Sequence, residues 1–247
     1  MNDVIIQDIL YKKIDVVFIN EKISLPLKIQ EQIDYYWLKL LKDGKTLRRG
    51  DVFTISAIET GNSKLKIEVK LTDYAHYMAT FHNIIDKKYF CKIIYTAALV
   101  ETLEKKIIIG EMAPNTSTPG RLQFPGGGLD KNDIEKNNIN LNKNITKEIK
   151  EELGIDINCK EHVSYFKPHF LKTGGSHDFY AIIFKVELNL DQNKFIKVYN
   201  NYTETLKLKS IIPEFNSLLF LNNDPEEIVN FLRNNNKSKV DYLHSLL

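Results

Sequence analysis

Apolar positions recur along this chain in two periods, and the changes of period predict its elements. Residues 4–9 and 14–19 are short apolar runs, read as two strands forming a hairpin through Tyr11, Lys12 and Lys13. From Pro26 to about Leu41 the period lengthens. There Ile29, Ile33, Tyr36, Trp37, Leu40 and Leu41 fall at helical spacing behind a proline start, and Asp43-Gly44 ends the run. That aromatic stripe reads as core rather than as a stacking platform. Residues 52–58 and 65–71 alternate as two antiparallel strands joined around Gly61-Asn62, and a helix over about 73–81 follows. Residues 92–103 and 106–112 predict a second hairpin turning at Glu104-Lys105, and after a loop over 114–120, residues 121–124 predict a short strand. Further on, 155–158 lead into 163–168, and the Gly174–Asp178 turn feeds a strong strand over 179–188. Residues 206–212 read as another strand, and 213–221 as a connection to a last helix that Asp224-Pro225 caps and that reaches Phe231. Residues 233–239 read as a polar, solvated link.

The chain is organised around the stretch from Phe124 to Ile155. Lys147 to Leu153 predicts a helix, with Thr146 as its N-cap and Gly154 as a left-handed stop. At about 100° per residue, Glu148, Glu151 and Glu152 share one sector of that helix, while Ile145, Ile149 and Leu153 share the neighbouring one and face a core. Three carboxylates held together at such a boundary repel one another unless a cation neutralises them. A hard divalent ion with oxygen ligands is the natural neutraliser. Ahead of the helix, Pro125-Gly126-Gly127-Gly128 breaks regular structure and lets backbone approach an ion or a phosphate closely. A solvated acidic face after an ordinary turn is the bland alternative. The glycine loop before the acids and the Leu-Gly-Ile stop after them favour a site.

These residues resemble the Nudix box, G-x5-E-x7-R-E-U-x-E-E-x-G-U, with U an aliphatic residue. Lys147 to Ile155 matches its second half, with lysine in place of the arginine. Counting from Gly127 places Asp133 at the first acid, and the spacing from Asp133 to Lys147 is longer than the pattern. The surplus, Ile134 to Asn144, is rich in Asn and Lys and reads as a solvated loop insertion. The resemblance implies an ion pair between Asp133 and Lys147, weaker than one made by an arginine fork. It implies an α/β fold, an α/β/α sandwich around a mixed sheet. It also implies a Mg2+ site, with Mn2+ as the alternative ion. Glu148 and Glu152 are the implied ligands, Glu151 a ligand or the group taking water's proton, and Gly126 or Gly127 the carbonyl donor.

Upstream, Leu71 to Thr80 resembles the L-T-x-Y-x-x-F-L-G-T segment of UDP-sugar-hydrolysing Nudix enzymes, with Ala79 where the segment has glycine. The expected division is an N-terminal α+β extension over 1–88, packed on a Nudix domain over 89–247. The expected reaction is hydrolysis of a UDP-sugar to UMP and sugar 1-phosphate. The alternatives are a pyrophosphatase acting on ADP-ribose, dinucleotides or nucleoside triphosphates, and a nucleotide sensor without turnover. Candidate substrate contacts are Arg121, Tyr74, Arg48 with Arg49, His177 and Asp178; His169 is a weaker candidate. His177 and Asp178 also stand as candidate bases outside the box.

Composition adds exclusions. A net charge of +2 over 247 residues argues against nonspecific attraction to nucleic acid or to an anionic membrane surface. The start MNDVIIQDIL lacks the basic region of a secretory leader, and no apolar run approaches the length of a membrane span. Cys91 and Cys159 lack metal-type spacing and fit a reducing compartment. A cytoplasmic enzyme with a small nucleotide substrate is expected, with a homodimer left open.

Overall fold

The computed structural model describes residues 2–45 and 47–247. In chain order the strands are β1 (Asn2–Asp8), β2 (Lys13–Lys22), β3 (Asp51–Thr60), β4 (Lys64–Asp73), β5 (Ile94–Glu101), β6 (Lys106–Met112), β7 (Leu122–Gln123), β8 (Ile134–Glu135), β9 (Asn138–Ile139), β10 (Val163–Gly175), β11 (Tyr180–Leu188) and β12 (Phe215–Asn222). The helices are α1 (Leu27–Lys42), α2 (Tyr74–Phe81), α3 (Leu141–Leu153), α4 (Gln192–Leu208), α5 (Pro225–Asn234) and α6 (Leu243–Leu246). None of the described helices is long and apolar enough to cross a membrane.

The strands form two sheets. The larger runs β1-β10-β11-β5-β6-β12, with β7 paired to β6; β11 and β5 are parallel, so the sheet is mixed. Its inward residues alternate as strand geometry requires. Ile94, Ala98, Val100, Ile108, Ile182 and Phe184 face one side, against Ile145, Ile149 and Leu153 of α3 and Phe195 of α4. Ala97, Leu99, Ile107, Ile109, Ala181 and Ile183 face the other, against Ile228 of α5 and Leu243 of α6. Helices therefore cover both faces, giving an α/β/α arrangement. The smaller sheet, β3-β4-β2-β9-β8, buries Val16, Phe53, Leu65, Ile67, Val69 and Leu71 in the same core as α3. A satellite core joins Ile29, Ile33, Trp37 and Leu40 of α1 to Ala75 and Ala79 of α2, while Leu41 stays exposed.

Several sequence expectations are corrected. The first two strands do not form a hairpin: β1 pairs with β10, and β2 pairs in parallel with β4. The short connection between them carries the chain from one sheet to the other, with Ile9 buried and its amide bonded to the His169 carbonyl at 2.8 Å. Residues 192–208 are a helix, so the strand expected over 206–212 is absent; of the connection expected over 213–221, all but the first two residues lie in β12 (Phe215–Asn222). Residues 233–239 are not simply a solvated link, because Ser238 and Val240 bond the backbone of Leu122 on both sides. The hairpins at Gly61-Asn62 and Glu104-Lys105, helix α1 and the Asp224-Pro225 start of α5 stand as read.

The insertion is the largest correction. Ile134 to Asn144 is not a solvated loop. It folds into the β8–β9 hairpin, which pairs with β2 at Val17 and Asn138, and into the first turn of α3. Ile139, Leu141 and Asn144 are buried. The helix thus begins at Leu141, and Asn140 caps it by accepting from the Lys143 amide at 3.0 Å. Thr146 lies within the helix and donates to the Asn142 carbonyl instead.

Candidate active site

The glycine loop leaves β7 and turns back across β5. Gly126 adopts φ of 151°, and a Cβ there would meet the Thr96 carbonyl at 2.1 Å. A Cβ on Gly127 would stand 2.6 Å from the Glu148 carboxyl. Gly126 is thus required for the loop to lie on β5, and Gly127 for it to lie against Glu148 of α3. The Gly127 carbonyl accepts from Thr96 N at 3.1 Å, and that of Pro125 from Ala98 N at 2.8 Å. Asn144 locks the far side. It is fully buried, accepts from Thr96 Oγ1 at 2.5 Å, and donates to the Gly128 carbonyl at 3.1 Å and to Asp133 at 2.9 Å.

Behind this loop stand the box acids. Glu152 is buried, and its Oε2 accepts from Gly126 N at 2.6 Å. Its Oε1 is buried without any partner. Desolvation, countered by the Gly126 bond and reinforced by Glu214, Glu148 and Glu151, holds its pKa well above the carboxylate range. Burial likewise raises Glu148, against the pull of Lys147. The Glu151 side chain is turned outward, and its carbonyl accepts from the Tyr202 hydroxyl at 2.6 Å.

A fourth carboxylate lies within electrostatic reach of them. Glu214, immediately before β12, is raised by loss of solvent and by the charge of Glu151. Sequence reasoning missed it because it stands alone in Ile212-Pro213-Glu214-Phe215, with no spacing to tie it to the box. Among the described residues, no three acidic, histidine or cysteine side chains are already gathered as a metal-binding group. Glu148 Oε1 is held by Lys147 at 3.1 Å, and Glu152 Oε2 by the Gly126 amide at 2.6 Å.

The brace expected between Asp133 and Lys147 is corrected. Lys147 pairs with Asp130 and Glu148, each at 3.1 Å. Burial works to lower the pKa of Lys147, but the two acids outweigh it and hold it above the usual range. Asp133 is buried and committed elsewhere: it accepts from Asp130 N at 2.9 Å, in a capping box, and from Asn144.

A cleft of about 700 Å³ opens beside the glycine loop and Glu214. Its far wall is aromatic: Tyr74, Tyr77 and Phe81 of α2, with His177 and Phe179 from the turn before β11. Tyr77 stacks on Tyr74 at 5.4 Å and on Phe179 at 5.7 Å, and His177 on Phe81 at 5.4 Å. The Leu71–Thr80 motif builds that wall. Thr72 bonds His76 at 2.8 Å, His76 meets the Tyr89 carbonyl at 2.7 Å, and Asp73 caps α2. Those contacts leave Tyr74 and Tyr77 facing the cleft.

Of the other candidates, Arg121, Tyr74 and His177 line the cleft and Arg48 does not; Arg48 is exposed. Arg49 is paired with Asp34 and Asp73, both at 2.7 Å. Asp178 holds its own turn, accepting from Lys92 at 2.5 Å and from Gly174 N at 3.2 Å, and it does not line the cleft. His169 sits on β10, 3.9 Å from Asp8.

No protein-family model matches the chain, and no curated protein matches it. Solved structures resemble it distantly. A bifunctional NMN adenylyltransferase/ADP ribose pyrophosphatase from Francisella tularensis is 10% identical, with 93% of this chain and 67% of that one covered at a TM-score of 0.40. The protein DR0079 from Deinococcus radiodurans is 13% identical, with 62% and 80% covered and a TM-score of 0.39. A Nudix hydrolase from M. smegmatis is 9% identical, with 63% and 82% covered and a TM-score of 0.34.

Proposed function

We propose that the chain is a Nudix-type pyrophosphohydrolase, cleaving a nucleoside diphosphate linked to a second moiety, with a UDP-sugar as the first substrate to test. The observation that carries this reading is the orphaned Glu152 Oε1, buried beside Glu148 and behind a glycine loop that opens on the cleft. A buried carboxylate oxygen without a donor is costly in the isolated chain and suits a cation. Glu148 and Glu152, together with the Gly126 carbonyl, supply the hard oxygen donors that a divalent ion such as Mg2+ takes. Gly126 is the preferred carbonyl because that of Gly127 already accepts from Thr96. When bound, such an ion neutralises phosphoryl charge and makes water a better nucleophile.

The chain's own residues supply the rest. Glu148 and Glu152 would hold the ion, and the glycine loop would place backbone beside the diphosphate. A water oxygen adds to one phosphorus, the bridging P–O bond breaks, and the two products are phosphate monoesters. The water's proton passes to a carboxylate of the cluster, with Glu151 and Glu214 the nearer to solvent. The aromatic wall gives a planar or ring-shaped group somewhere to lie, and its Tyr74 and Tyr77 come from the proposed extension over 1–88.

The test is a screen of nucleotide sugars, ADP-ribose, dinucleotides and nucleoside triphosphates with magnesium, reading phosphate after a coupled phosphatase. Turnover of at least one diphosphate-linked substrate, lost in Glu152→Gln, supports the reading. Tight binding of a nucleotide without turnover would instead favour the sensor alternative and overturn the enzyme.

A further inference from the structure

Three cations line the cleft, and two of them are already satisfied. Lys172 is buried, and its ammonium donates to the Gly174 carbonyl at 3.1 Å, the Phe179 carbonyl at 2.9 Å and Asp241 at 2.7 Å. Those three acceptors use every proton an ammonium carries. Lys239 turns its ammonium to the carbonyls of Asn235 and Lys237 and over the Phe231 ring at 5.6 Å.

Arg121 is different. It sits in the cleft immediately before β7, on the segment that runs into the glycine loop. Its side chain donates only to the amide oxygen of Gln123, from Nε at 3.2 Å and Nη2 at 2.6 Å. No carboxylate among the described residues forms an ion pair with it. A neutral amide fixes the plane of the guanidinium but leaves its charge unmatched and its remaining donors open. Tyr77 and Tyr95 also line the cleft. Burial raises both, the Tyr77 hydroxyl to about 12, and Arg121 is the cation opposing the rise in each case. Both hydroxyls therefore stay protonated, in the same cleft as this guanidinium.

We propose that Arg121, oriented by Gln123 and sharing the cleft with Tyr77 and Tyr95, forms a phosphoryl-oxyanion subsite beside the glycine loop. The physical reason is that a partly buried, unpaired cation is costly until an anion meets it, and a guanidinium fork matches two oxygens of one phosphoryl group. Opposite charge requirements then divide the diphosphate. The glutamates need a cation between themselves and phosphate, whereas Arg121 takes phosphoryl oxygens directly. The inference rests on the diphosphate reading above and assigns the residue that would seat the phosphoryl group lying away from the acids.

Inorganic pyrophosphate in metal-free buffer with chelator is the probe, titrated by calorimetry into wild type, Glu152→Gln, Arg121→Lys, Arg121→Gln and Tyr77→Phe. Glu152→Gln should bind at least as tightly as wild type, because without metal the acids can only oppose an anion. Arg121→Gln should lose at least tenfold in affinity; Arg121→Lys, which keeps the charge without the fork, should lose severalfold, as should Tyr77→Phe. Should Arg121→Gln fail to fold, the lysine variant carries the same comparison. Absence of pyrophosphate binding by wild type, or equal affinity in wild type and Arg121→Gln, overturns the subsite. If pyrophosphate binds through Arg121 while no substrate is hydrolysed, the hydrolase reading fails and the subsite stands.

Discussion

Replacing Glu152 by glutamine removes charge from the only carboxylate oxygen that the described residues bury without a partner. Glutamine keeps the volume, and its oxygen still accepts from the Gly126 amide. In metal-free solution the variant should therefore be more stable than wild type. The amide nitrogen of glutamine is left without a partner in the place of Oε1, so the gain is the excess cost of a charge over a neutral polar group, about 1 kcal/mol or more. For a chain of this size each kcal/mol moves the melting temperature by about 2–4 °C. The pH dependence follows from the direction of the shift. A glutamate raised in the folded state is protonated in both states below about pH 4, so the cost vanishes there. It grows as pH rises through the ordinary glutamate range toward the raised value. The advantage of the variant should be present at pH 7 and absent near pH 3.5. Magnesium should then reverse the order, since an ion present at about a hundredfold its dissociation constant stabilises by about 2.7 kcal/mol whatever it binds. Differential scanning calorimetry of both proteins at two pH values, with chelator or magnesium, measures all of this. A variant less stable than wild type in chelator at pH 7, or an equal gain by both from magnesium, would refute the reasoning.

Other perturbations separate positioning from contact. Asn144→Ala strips partners from Thr96, Gly128 and Asp133 together and should cost at least about 2 kcal/mol in denaturant unfolding; a cost below about 0.5 kcal/mol would remove Asn144 as the lock on the glycine loop. Tyr242→Phe leaves the Phe124 amide, now bonded to the Tyr242 hydroxyl at 3.1 Å, without an acceptor and should cost about 1–3 kcal/mol, read by the same unfolding curves. Tyr77→Ala should reduce kcat/KM on a ring-bearing substrate more than on a minimal diphosphate, whereas Arg48→Ala, outside the cleft, should change neither. Equal losses for Tyr77→Ala on both substrates would take the aromatic wall out of recognition.

The box acids were legible because helical periodicity and a glycine stop are local properties, and Gly154 indeed closes α3 in the left-handed conformation at φ of 71°. Counting along the chain failed where the structure departs from a line. Asp133 has the spacing of an ion-pair partner, but a capping box and Asn144 engage it, and Asp130 takes its place. Helix α4 escaped notice because Phe195 alone is fully buried and its Asn- and Lys-rich remainder resembles a loop. The pairing of β1 with β10 joins residues far apart in sequence, and nothing within ten residues of Asp8 could announce it. The Leu71–Thr80 segment was legible as a motif, but the division of labour within it was not: Thr72 and His76 anchor, while Tyr74 and Tyr77 face the cleft.

The pairing of the insertion with the smaller sheet has a consequence for motion. The Phe18 amide is bonded to the Asn137 carbonyl at 2.8 Å, and from Asn138 the chain passes within a few residues into the cap of α3. Opening that edge of the smaller sheet would pull on the first turn of the helix that carries the acids, so the two should unfold as one cooperative unit. In deuterium exchange, the Phe18 amide and the amides of that first turn would then share one opening free energy. The acid cluster would inherit its rigidity from residues near the start of the chain that never touch a substrate.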